Sequence, residues 1–148
     1  MTPGPATAGD PGAAARWRAE RQEAAAAHGE ALERRRRADS ERARTMLGEM
    51  VVRALREGPE PVPLRAVDPD GRRTSRTRLR GWYLRRDHRV AVGTDGEYYV
   101  LVRPGGLFGA LRRFQPVPSE PPLVIGAGGR DGESIDLADA LARVLAGG

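Results

Sequence analysis

The chain has 148 residues, a formal net charge of +5, no cysteine and only two histidines, and all 25 of its basic residues are arginine. That length suits one domain, and the composition leaves no disulfide framework, no thiolate chemistry and, with His28 and His88 isolated, no histidine-rich zinc site. The longest apolar run, residues 98–102, falls far short of the roughly 18–20 residues of a membrane span, and no basic-then-apolar leader opens the sequence; a cytoplasmic chain with no membrane partner, metal or cofactor is expected.

Residues 1–12 carry three prolines and three glycines, which disfavour any regular element, and read as a disordered tail. Residues 13–57 contain no proline and are rich in Ala, Arg and Glu, all good helix formers. Before Met46 the only large apolar residues are Met1, Trp17 and Leu32, so the first part of this helix has no stripe to bury. From there Ala43, Met46, Leu47, Met50, Val51, Ala54 and Leu55 recur at three- and four-residue spacing. Residues 43–57 are therefore the docking half, stopped by Gly58 and Pro59.

A Pro-rich linker over 58–63 leads into a β-rich domain over 64–148, whose first strand is read over 62–67. Asp68, Pro69, Asp70 and Gly71 form a turn, and residues 72–86 read as a long strand with Gly81 as a bulge. Strands over 90–94 and 97–103 flank Asp95-Gly96, taken as a two-residue hairpin turn. Apolar side chains of both parities over 98–102 predict a strand covered on both faces, with Tyr98, Val100 and Val102 on one side and Tyr99 and Leu101 on the other. Residues 107–114 lean toward a short helix, residues 123–125 toward a strand. A last helix is capped by Ser134 or Asp136 and carries Leu137, Leu141, Val144 and Leu145 on one face. The expected fold is α+β: a small antiparallel meander of about four or five strands, covered by an N-terminal amphipathic helix and a short C-terminal one.

Two motifs bear on function. Residues 123–137 have the strand–glycine loop–helix layout of a phosphate cradle, but Ala127 stands where a Walker loop needs its first Gly and Glu133 where it needs Lys, and that carboxylate would repel phosphate. The second motif is the arginine-rich strand. Residues 58–118 hold 12 arginines against six acids, and Arg72, Arg73, Arg76, Arg78, Arg80, Arg85, Arg86 and Arg89 surround Trp82 and Tyr83. On a strand Arg76, Arg78 and Arg80 share one face, and guanidinium groups beside an aromatic suit phosphates with stacked bases. The bland alternative is a solvated sheet face. No catalytic set is assembled from two histidines and acids that occupy turns.

The leading reading is a non-enzymatic module that contacts nucleic acid through this strand, with Trp82 as the stacking residue. The next is a protein-interaction adaptor, whose N-terminal helix and four consecutive arginines, residues 34–37, engage an acidic partner. The third is nucleotide or small-ligand binding at the Gly-rich loop 126–132. A continuous, unpaired basic face would favour the first; arginines scattered among acidic partners would not.

Overall fold

The computed structural model describes residues 9–105, 114–126 and 133–148, in two compact units, Met1–Arg37 and Ala38–Gly148. One helix, α1 (Pro11–Glu57), contributes to both. It starts two residues earlier than expected. Pro11 takes the first helical position, where its missing N–H costs nothing, and Asp10 Oδ1 accepts a bond from the Gly12 N–H at 3.1 Å.

In the first unit the helix buries nothing: every residue over 13–38 is exposed. Alanine-rich composition and local pairs such as Arg36–Glu33 at 3.4 Å support it, since no apolar face is available to do so.

In the second unit Ala43, Leu47, Met50, Val51 and Ala54 of α1 are buried, as their spacing predicts. Leu55 is not; it is 56% exposed, because it lies about 100° round the helix from the middle of that stripe. Gly58, at φ 87, ends α1 with its N–H on the Ala54 carbonyl.

A five-stranded antiparallel sheet follows in the order β1-β2-β3-β4-β5, formed by β1 (Val62–Val67), β2 (Thr74–Tyr83), β3 (Val90–Gly93), β4 (Tyr98–Val100) and β5 (Pro118–Ser119). A small hairpin, β6 (Val124–Ile125) with β7 (Ile135–Asp136), leads into α2 (Leu137–Leu145). The α+β architecture is thus the expected one.

The sheet has a core on each face. On one, Trp82, Leu84, Val92 and Tyr98 pack with the buried stripe of α1 and with Leu137, Leu141 and Val144 of α2. On the other, Leu64, Ala91, Tyr99 and Leu101 cluster with Leu79 and Tyr83. The sheet closes round this second cluster: the Val67 N–H bonds the Leu101 carbonyl at 2.7 Å and the Arg103 N–H bonds the Val67 carbonyl at 2.8 Å, so the first strand meets the continuation of the fourth.

Several local expectations give way to tertiary constraints. The irregularity between β1 and β2 falls at Pro63/Arg65, while Gly81 pairs regularly with Val62 and Gly93. Gly81 is there for close approach: a Cβ would lie 2.0 Å from the Val92 carbonyl oxygen. The β3–β4 turn is a three-residue loop, closed by the Gly93 N–H on the Glu97 carbonyl. Only Gly96 in it takes a positive φ, of 80°, the pattern of a type I turn followed by a left-handed glycine. In β4, Tyr98 and Tyr99 are buried on opposite faces as expected, but Val100 is 42% exposed. It pairs with Val90 at the end of the strand.

Asp136 stands at the N-cap of α2 without a side-chain capping bond. In the sequence the glycine loop is followed by β7, which pairs antiparallel with β6 and leads directly into α2. The expected helix over 107–114, apart from Phe114, and loop residues 127–132 lie outside the described residues.

Candidate nucleic-acid interface

β2 alternates along its first seven residues. Thr74, Arg76, Arg78 and Arg80 are exposed, whereas Ser75, Thr77 and Leu79 are half-buried. Thr77 donates its hydroxyl to the Leu64 carbonyl at 2.7 Å and accepts from the Leu79 N–H at 3.1 Å, which holds the odd parity against the inner core. The three arginines therefore share a face, at intervals of roughly 7 Å.

The register adds a fourth. Arg65 of β1 stands opposite Arg76, so its side chain lies on the same face. Two of the four are oriented by neutral partners: Arg65 Nε donates to Thr74 Oγ1 at 2.9 Å, and Arg80 Nη2 to the Pro61 carbonyl at 2.8 Å. Among the described residues no carboxylate lies within ion-pair distance of Arg65, Arg76, Arg78 or Arg80. Like charges opposite one another on a ribbon repel, and among the described residues no carboxylate offsets that repulsion.

The other expected site residues separate from this row. Arg72 and Arg73 follow the β1–β2 turn and are exposed. Trp82 belongs to the core: it is 4% exposed and its Nε1–H donates to the Pro59 carbonyl at 2.8 Å. With its ring packed beneath α1 and α2 it has no open face on which a base could stack, because even parity, which carries Arg80 into solvent, carries Trp82 under the helices.

Arg85, Arg86 and Arg89 form a second cluster in the β2–β3 loop. There Asp87 pairs with Arg85 at 3.1 Å and Arg89 at 3.7 Å, and Arg89 also donates to the Pro69 carbonyl. Arg86 is exposed, with no ion-pair partner among the described residues.

Three neighbours are joined to this second cluster by the fold. Arg143 of α2 donates to the Leu84 carbonyl at 2.8 Å, which fixes a guanidinium from the far end of the chain beside the loop. His88 stacks on Tyr83 with ring centroids 3.9 Å apart and planes 7° from parallel. It holds φ 59, a left-handed conformation that costs a non-glycine residue on the order of 1 kcal/mol or more. The Tyr83 hydroxyl in turn accepts the Arg65 N–H at 2.9 Å.

Two tyrosines are set by burial. Desolvation pushes the Tyr98 phenol up to about 12, with nearby Arg85 pulling the other way. Tyr99 is likewise pushed up to about 12, first by burial and then by the hydrogen bond it donates to Asp95 Oδ2 at 2.5 Å.

Among the described residues no group of three or more acidic, His or Cys side chains could hold a metal ion, and no helix is long and apolar enough to cross a membrane. No protein-family model, curated protein or solved structure matches the chain significantly.

Proposed function

We propose that the protein is a non-enzymatic module that binds the phosphate backbone of nucleic acid on the face formed by Arg65, Arg76, Arg78 and Arg80. What carries this reading is that these four arginines share one face of a two-strand ribbon without a carboxylate partner among the described residues. A solvated structural face gains nothing from repelling cations in register, whereas a polyanion releases counterions as each guanidinium meets a phosphate. Arginine also forks bidentately onto phosphate oxygens. Because Trp82 is buried, this face offers no stacking platform, so binding is by backbone charge, with little sequence preference.

Fluorescence anisotropy of labelled single-stranded and duplex DNA and RNA tests the reading. Binding to nucleic acid at low salt that weakens steeply as salt rises is the expected result. Absence of salt-sensitive affinity for every one of these ligands would refute it and leave the exposed α1 helix, with its arginines at 34–37, as the surface for an acidic protein partner.

A further inference from the structure

The β2–β3 loop and α2 build a second basic site, distinct from the arginine row. Two cavities meet there. One, of about 440 Å³, is lined by Arg85, Arg86 and Arg143, by the carboxylates of Asp87 and Glu133, and by Ser134. The other, of about 360 Å³, shares Arg85, Arg86 and Arg143 and is lined also by Glu60, Tyr83 and His88.

The three shared arginines differ in how they are held. Arg85 is one-fifth exposed and tied to Asp87, and Arg143 is tied to the Leu84 carbonyl. Both are pre-positioned cations, which bind an anion with little further ordering. Arg86 is exposed and free to close on a ligand. Asp87 is already paired with Arg85 and Arg89, so it opposes an incoming anion weakly, and the remaining carboxylates, Glu133 in the larger cavity and Glu60 in the smaller, are each outnumbered by the three shared arginines. The Ser134 hydroxyl adds a neutral donor to the larger cavity. On the other side the exposed His88 ring, stacked on Tyr83, offers an aromatic surface at the mouth of the smaller cavity.

A phosphate on the arginines and a planar ring on His88 are the two halves of one ligand class. We propose that this cleft binds a nucleoside phosphate, with the phosphate held by Arg85, Arg86 and Arg143 in the larger cavity and the base against His88 in the smaller. The ligand is either a free mononucleotide or the phosphorylated end of a strand, which share this chemistry.

The probe is adenosine 5′-monophosphate, titrated into the full-length protein by calorimetry and by NMR, with adenosine and inorganic phosphate as the separate halves. Saturable binding of the nucleotide, tighter than either half, is the expected result. Arg86→Ala weakens it by about tenfold or more, as loss of a charge-assisted bond requires. His88→Gly removes the ring and relieves its left-handed backbone. It weakens nucleotide binding by at least about fivefold, the lower end of a stacking contribution, and leaves inorganic phosphate binding unchanged. Both positions are exposed, and an unchanged thermal melt verifies that each variant folds.

Arg76→Ala and Arg78→Ala leave mononucleotide binding unaltered, which keeps this site's success or failure separate from that of the arginine row. A 5′-phosphorylated oligonucleotide that displaces the mononucleotide at lower concentration identifies a strand end as the source; one that displaces it only at higher concentration identifies the free nucleotide. No saturable nucleotide binding, nucleotide affinity no better than that of inorganic phosphate, or indifference to both Arg86→Ala and His88→Gly would overturn the assignment.

Discussion

The two ends of β2 are parts of one strand with opposite fates. Over residues 74–80 every second side chain reaches solvent and three of them are arginines, whereas Gly81, Trp82 and then Leu84 beyond the strand end are buried. The parity that exposes Arg76, Arg78 and Arg80 is the one that buries Trp82. What changes along the strand is the cover: Trp82 and Leu84 pack with α1 and α2, and the arginines extend past them. A charge on the uncovered end keeps its hydration and remains available to a ligand, while an aromatic on the covered end serves the core.

That contrast is broken most sharply at Trp82. Trp82→Ala should lose about 3–5 kcal/mol, through the cavity it leaves and the lost bond to Pro59, whereas Arg76→Ala or Arg78→Ala should stay within about 0.5 kcal/mol of the wild type. Chemical denaturation of the three variants measures this. A mild Trp82→Ala together with a severe Arg78→Ala would reverse the roles of the two ends.

The same contrast recurs in the fourth strand and its continuation. Leu101 is fully buried and Val100 is 42% exposed, so Leu101→Ala should lose about 2–5 kcal/mol and Val100→Ala less than about 1 kcal/mol. Equal losses in urea melts would show that the outer face at Val100 is covered after all.

Alkaline pH probes both cores together. Tyr98 and Tyr99 are each raised from 10.0 to about 12, so the folded state holds both phenolic protons more tightly than the unfolded chain does. Stability should be fully present below pH 10 and fall as pH rises to about 12, by on the order of 2 kcal/mol for Tyr98 and by less for Tyr99, whose phenol is more strongly screened by solvent. Denaturant midpoints measured from pH 8 to 12 should decline only above pH 10, and Tyr99→Phe should lessen the decline.

The smallest expected effect is that of removing Met1–Arg37. Every residue over 13–38 is exposed, so the fragment Ala38–Gly148 should melt cooperatively with nearly the denaturant midpoint of the whole chain. A marked loss would mean that the exposed helix stabilises the second unit.

Much of this was legible from periodicity. The α1 docking stripe, the strand over 62–67 and the apolar face of α2 follow from spacing alone, because a side chain's face is set by local geometry. The alternation of Arg76, Arg78 and Arg80 was legible for the same reason. The exposure of Leu55, about 100° from the middle of the stripe, was also there in the spacing, whereas the burial of Trp82 and the exposure of Val100 depend on which other elements cover their faces. Arg65 joined the row through strand register, and Arg143 joined the second cluster from 54 residues beyond Arg89; both depend on tertiary pairing. The pairing of β6 with β7 rests on two residue pairs, too brief to leave a pattern.

The central claim, that the unpaired arginine face binds a phosphate backbone, is tested most directly by the salt dependence of nucleic-acid affinity. The observed binding constant should be measured across a range of salt for the wild type and for a variant with Arg65, Arg76, Arg78 and Arg80 all changed to Ala. The wild type should give a steep logarithmic slope, and the variant a slope shallower by about three, since each phosphate contact contributes about 0.7–0.9, with its fold intact by thermal melt. An unchanged slope in a folded variant would contradict the account.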